Sequence, residues 1–163
     1  MPTYTLQPII GRVFTKVEVV ESRHVKGGDE VRLHHNGNSY FAMYHDQDCC
    51  EDVDLYDVVG DLEDLVGSPI LMAEEVIDQT HPLNPAARHF TWTFYRFATI
   101  KGHVLLRWYG ESNGYYSERV TIGAYTNEEL LYLIEDGNMI MQGDNILIET
   151  TRSGPPYIVT STY

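Results

Sequence analysis

Apolar and polar residues alternate with a period of two along most of this chain, in short runs broken by turn formers. Val13 to Val20, Glu30 to His34 and Ser39 to His45 read as strands. Asn36-Gly37 between the last two is a two-residue hairpin signal, since both residues accept positive φ. Ile70 to Val76 reads as a further strand, and the Pro-containing stretch Asp78 to His89 as a flexible loop. Phe90 to Tyr109 is dense in aromatic and β-branched residues and predicts a central hairpin turning at Lys101-Gly102. Its Tyr95, Phe97, Leu106 and Trp108 face is expected in the core. Ser117 to Tyr125 resumes the alternation. Met139 to Met141, Asn145 to Thr150 and Tyr157 to Thr162 come next as strands, separated by Gly143 and by Gly154-Pro155-Pro156.

Two segments depart from this period. Asp61 to Pro69 predicts one or two helical turns, with Asp61 as cap, Glu63 and Asp64 at the positive end, Gly67 closing and Pro69 stopping it. Thr126-Asn127-Glu128-Glu129 ahead of Leu130, Leu131, Leu133 and Ile134 has capping-box spacing and predicts a second helix ended by Gly137. The expected fold is therefore α+β, a single domain over residues 1–163 with a mostly antiparallel curved sheet and two short helices.

Length and composition, 163 residues at 43% hydrophobic, suit one core and not two. The formal charge of −13 sits almost wholly between Leu33 and Ala87, which hold twelve acids and no Lys or Arg, leaving twelve acids against eleven bases elsewhere. Without a basic stripe the chain is not expected to bind nucleic acid directly. It has no run long enough to span a membrane, and its start lacks the regions of a signal peptide, so an intracellular protein is expected. The only cysteines, Cys49 and Cys50, are adjacent and are expected as free thiols.

Four strings carry a resemblance: Tyr44-His45-Asp46-Gln47-Asp48-Cys49-Cys50-Glu51; Gly60-Asp61-Leu62 with Gly67-Ser68-Pro69-Ile70; Thr91-Trp92-Thr93-Phe94-Tyr95; and Arg107 to Ser117. Together, over roughly Val13 to Val120, they resemble an uncharacterised family of small proteins encoded by bacteriophages and prophages. The resemblance implies a viral or prophage origin and the cytoplasm of a host cell, and supplies no reaction.

Candidate chemistry lies in three places. A turn at Lys101-Gly102 sets Arg96 opposite Arg107, and like charges so placed need an anion between them. Trp92, Phe94, Tyr109 and Glu111 share that face, a setting for stacking a ring and gripping an anion. The competing reading is that both arginines neutralise the acidic stretch. Asn113-Gly114 and Tyr115 lie directly beyond, either as an adaptable contact surface or as an ordinary turn. In the His45 to Glu51 run, a metal site would draw on His45, Asp48, Cys49 or Cys50, and Glu51, but the spacing fits no zinc signature. A Cys nucleophile beside His45 would have its thiolate opposed by Asp48, Glu51 and Asp52.

The functional expectation is a non-enzymatic accessory protein without a cofactor. It would bind a small anionic or nucleotide-like ligand through Arg96, Arg107 and the neighbouring aromatic residues, as a way of sequestering a host defence signal. Two other readings stay open. One is an acidic protein, docking its Asp46 to Asp64 surface on a basic host protein as a mimic of DNA charge; the other is a metal-dependent hydrolase. A homodimer is compatible with each.

Overall fold

In the computed structural model the alternating segments build two antiparallel sheets packed face to face. The structure describes residues 1–24 and 28–140, and the backbone of the strands Asn145–Ile148 and Tyr157–Thr160. In chain order the strands are β1 (Thr3–Thr5), β2 (Lys16–Glu21), β3 (Asp29–His35), β4 (Ser39–Tyr44), β5 (Asp52–Val59), β6 (Met72–Asp78), β7 (His89–Thr99), β8 (Gly102–Ser112), β9 (Thr121–Thr126), β10 (Glu129–Glu135), β11 (Asn138–Ile140), β12 (Asn145–Ile148) and β13 (Tyr157–Thr160). One sheet has the order β1-β6-β7-β8-β5 and the other β11-β10-β9-β4-β3-β2, while β12 and β13 pair with each other. The expected breaks at Gly143 and at Gly154-Pro155-Pro156, and the expected strand residues Met141, Glu149, Thr150, Ser161 and Thr162, lie outside the described residues.

Alternation decides which residues meet between the sheets. Tyr95, Phe97, Leu106 and Trp108 point inward from β7 and β8, each at most 1% exposed, and meet Leu33, Phe41, Met43 and Ile122 from the opposite sheet in one buried cluster. Full burial of such side chains contributes about 1.5–3 kcal/mol each. The core face of the central hairpin is thus the one expected from its alternation.

The α+β expectation is corrected: among the described residues there is no α-helix. Asp61 does cap, its Oδ1 accepting the Glu63 N–H at 3.0 Å, but it caps only a single turn of 3-10 helix, Leu62–Leu65. The second predicted helix is β10. Asn127 and Glu128 both take positive φ (53° and 65°), the geometry of a tight hairpin turn, and so turn β9 back on itself instead of capping a helix. Tyr132 and Ile134 then face the core in a period of two. Pairing with β9 and β11 takes up backbone groups that helical bonding would have used, and tertiary packing overrides the local cap.

The central turn also shifts. Thr99 pairs with Gly102, so Ile100-Lys101 forms the turn, Arg107 faces Phe94 and Arg96 faces Leu105. The Thr99 hydroxyl fixes this register by donating to the Asp64 carbonyl while accepting the Lys101 N–H at 3.1 Å. Gly102 serves as a strand residue against which Asp64 packs so closely that a Cβ would push the Asp64 carboxylate aside. At the first hairpin, His35 pairs with Ser39, so three residues, Asn36-Gly37-Asn38, close the loop, with Asn36 and Gly37 in positive φ as their types suggest. The strands β1 and β5 are additions to the expected set. Among the described residues no helix is long and apolar enough to cross a membrane.

Candidate functional site

Strand alternation brings six of the eight predicted ligand residues onto the outer face of the five-stranded sheet. Trp92 stacks on Phe94 with 5.6 Å between ring centroids and tilts against Tyr109 at 4.7 Å. The loop between β6 and β7 closes over them. The Trp92 indole N–H donates to the His81 carbonyl at 2.8 Å, the Leu83 N–H donates to the Tyr109 hydroxyl at 3.2 Å, and that hydroxyl donates to Glu111 at 2.8 Å. Asn113 and Tyr115 lie apart, beyond the end of β8, where the Asn113 side chain accepts the Tyr115 N–H at 2.9 Å and the Tyr115 ring stands in solvent.

Each guanidinium on this face lies beside a carboxylate of the same fold. Arg107 donates to both carboxylate oxygens of Asp57, from Nε at 2.6 Å and from NH2, and rests against Tyr56 and Trp92. This bidentate hydrogen bonding holds the Asp57 carboxyl below the usual range and raises Arg107. Arg96, diagonal to Arg107 and not opposite it, lies 3.9 Å from Glu74. Asp57 and Glu74 both come from the acidic stretch, so the acids and the arginines neutralise one another inside the fold.

The His45 to Glu51 run is organised around one buried carboxylate. Glu51 Oε1 lies 2.9 Å from His45 Nε2 and accepts the Asp48 N–H at 2.6 Å, and Oε2 accepts the Cys49 N–H at 3.1 Å. Burial alone would raise this carboxyl, but the donors around it outweigh burial and hold it at about 2. Nδ1 of His45 lies 2.7 Å from the Arg119 carbonyl oxygen, which leaves neither ring nitrogen without a contact. Cys49 and Cys50 are joined in a disulfide, which corrects the expectation of free thiols. Among the described residues no group of three His, Cys, Asp or Glu side chains is arranged to hold a metal ion.

A different constellation occupies the outer face of the six-stranded sheet. Glu30, Arg32 and His34 of β3 alternate onto the same side as Tyr40, Ala42 and Tyr44 of β4 and Tyr125 of β9. Tyr40 and Tyr125 stack with centroids 5.3 Å apart, the Tyr44 and Tyr125 hydroxyls meet at 2.5 Å, and the His24 ring covers Tyr125 at 4.1 Å. Burial pushes the Tyr125 hydroxyl far up and the His24 imidazole down, so both are uncharged in this layer.

Where the Asn36-Gly37-Asn38 loop meets the Asn127-Glu128 turn, this face opens into a cleft of about 440 Å³. Arg32, His34 and Tyr40 line it from the strands; Gly37, Asn38, Asn127 and Glu128 line it from the turns. The turns are tied together by the Asn127 N–H donating to the Asn38 carbonyl at 3.2 Å and the Asn38 amide donating to Asn127 Oδ1 at 3.0 Å. Arg32 is the unusual member. Its side chain is 7% exposed, its plane lies 4.5 Å over the Tyr40 ring, and its Nε donates to the fully buried Glu30. Its NH2 is out of solvent and has no hydrogen-bond partner among the described residues.

Residues 7–122 match the family model described as a domain of unknown function, DUF7448. The chain belongs to that family. No curated protein and no solved structure matches it. The matched span holds the strand residues of the cleft and the Asn36-Gly37-Asn38 loop, but not Asn127 and Glu128, which close its other side. The cleft has a sequence signature all the same. Glu30-x-Arg32-x-His34 and Tyr40-x-Ala42-x-Tyr44 are two alternating polar and aromatic triplets flanking one turn, and the turn's register puts them on a common face.

Proposed function

We propose that this protein is a non-enzymatic binding module that holds a small anionic ligand in the cleft beneath the Asn36-Gly37-Asn38 and Asn127-Glu128 turns. The observation that supports this reading is Arg32, a buried cation whose NH2 has no hydrogen-bond partner among the described residues although the residue lines an open cleft. An unpaired buried donor costs about 1–3 kcal/mol. A bound oxygen pair would offset that cost, and two parallel N–H groups match a carboxylate or phosphate edge. The phage and prophage strings fit an accessory role in which a molecule is held in a host cell and not converted. Sequestration by mass action then demands abundant protein or tight binding.

The test is a thermal-unfolding screen of small anions on the wild-type protein and on Arg32→Lys, which keeps the charge beside Glu30 but removes the fork. A ligand at a hundredfold excess over its Kd stabilises by about 2.7 kcal/mol. At least one carboxylate or phosphate is expected to do so in the wild type and to lose most of the effect in Arg32→Lys. Equal stabilisation of both proteins, or of neither, would remove the proposal.

A further inference from the structure

Resting on that reading, the geometry points to the class of ligand: a small carboxylic acid carrying an ammonium or hydroxyl donor beside the acid group, of the amino-acid or hydroxy-acid type, and not a phosphate ester or nucleotide. Three observations on the cleft carry this.

Charge comes first. Among the described residues the cations at or beside the cleft are Arg32, Arg23, whose guanidinium pairs with Glu128 on the rim, and Lys16, which pairs with Glu18 at 2.8 Å. Against them stand Glu30 on Arg32, Glu128 on the rim, and Glu18, which reaches His34 at 2.9 Å. Among the described residues three cations and three carboxylates leave the surroundings without net charge before any ligand enters. A phosphate dianion would find no net positive field there to hold its second charge, whereas one carboxylate matches the Arg32 guanidinium, and more so if the ligand brings positive or donor character of its own.

Hydrogen-bonding capacity comes second. Beside the Arg32 donors, the cleft offers acceptors that nothing in the described residues occupies. Glu128 uses Oε1 on Arg23, and Asn38 gives its amide N–H to Asn127, leaving Glu128 Oε2 and Asn38 Oδ1 open. A ligand made only of acceptors would gain nothing from either acceptor, both of which are exposed to water. One with a donor next to its acid answers both sides of the cleft.

Stacking comes third. Tyr40 is the aromatic residue of the lining besides His34, and its strand lies between β3 and β9. Arg32 flanks its ring from β3 and Tyr125 from β9, at 4.5 and 5.3 Å. A nucleobase has no free tyrosine face to lie on.

The experiment is isothermal titration of the full chain with L-glutamate, L-lactate, propionate, inorganic phosphate and adenosine monophosphate, repeated on Glu128→Gln and on Arg32→Lys. Glu128 is 59% exposed at its side chain, so Glu128→Gln is expected to fold. L-lactate is expected to bind at least about tenfold more tightly than propionate, which differs by lacking the hydroxyl, and tenfold is about 1.4 kcal/mol. Glutamate should weaken about tenfold in Glu128→Gln, and phosphate and adenosine monophosphate should bind at least about tenfold more weakly than L-lactate to the wild type. Phosphate or the nucleotide binding in an Arg32-dependent way, with the acids silent, would overturn the class and leave the anion cleft standing. Silence of all five probes would overturn both.

Discussion

Glu51 shows how one residue organises an acidic loop that, as a string, looks like a metal site. Its side chain is fully buried and accepts two backbone N–H groups while lying within hydrogen-bond distance of His45. Charged acceptors of this kind contribute about 1.5–3 kcal/mol per bond relative to losing them. Glu51→Gln should therefore destabilise the fold by about 2–3 kcal/mol at neutral pH in denaturant unfolding. The sign with pH comes from the depressed carboxyl: its stabilisation is complete above the ordinary value of 4.5 and disappears as pH falls toward about 2. The gap between wild type and variant should narrow on acidification, and a gap independent of pH would refute a charged, multiply bonded Glu51. Arg107 and Asp57 give a contrast. Each is about a third exposed, so screening limits the pair to less than about 1 kcal/mol, and Asp57→Asn should shift the unfolding midpoint only slightly.

Gly137 plays the corresponding part among the elements. It sits at φ 82° in the turn from β10 to β11, and a Cβ there would overlap the carbonyl oxygen of Thr5 and touch Tyr4, at the end of β1. That turn therefore packs the edge of one sheet against the first strand of the other, and only glycine meets both demands. Gly137→Ala should cost at least about 2 kcal/mol and lower Tm by several degrees, where Gly11→Ala, with the same φ but open space, should cost about 1 kcal/mol. Equal losses would show that the close approach to Thr5 is immaterial. The turn also illustrates how far elements are legible in the sequence. Period-two runs locate β3, β4, β7 and β8, because one buried face forces that period. Asp52 to Val59 alternates equally well, yet its acids draw attention to charge, and it forms an edge strand whose outward Asp52 and Asp54 deter pairing with another chain. Thr126 to Glu129 reads as a cap because capping boxes and tight turns draw on the same Asn, Thr and Glu; only pairing with β9 separates them. The register at Ile100-Lys101 is beyond reach for a similar reason, since it depends on Thr99 meeting Asp64 from a distant segment. Arg96 and Arg107 can be placed on one face from alternation, but their carboxylate partners are set by the strand order, and so is the opening beside Arg32.

For the molecule as a whole, pH dependence sums groups that pull in opposite directions, and His35 is expected to set the balance in mild acid. Burial lowers His35 from 6.5 to about 4, with Arg12 and His34 adding repulsion, and its ring packs against Phe41 at 5.2 Å and Phe14 at 6.2 Å. Its Nδ1 is buried without a hydrogen-bond partner among the described residues. The unfolded chain takes up that proton more readily than the folded one, so stability is lost as pH falls from about 6.5 toward about 4. Asp54 acts the other way. Partial burial together with Asp52 and Asp29 raises it to about 6, and protonating it below that value relieves repulsion in the folded state, but it is solvent-exposed and screening reduces its weight to a fraction of about 1 kcal/mol. His35, partly shielded, should outweigh it by contributing about 2 kcal/mol to the loss, after discounting the roughly 3 kcal/mol that about two and a half pH units represent. His35→Phe keeps the ring packing and deletes the titration. The variant should match or exceed the wild type at about pH 7 and lose about 2 kcal/mol less between about pH 7 and about pH 4 in urea unfolding. Every other titrating group is common to the two proteins, so parallel curves would mean that the imidazole accepts its proton as readily in the folded chain as in water.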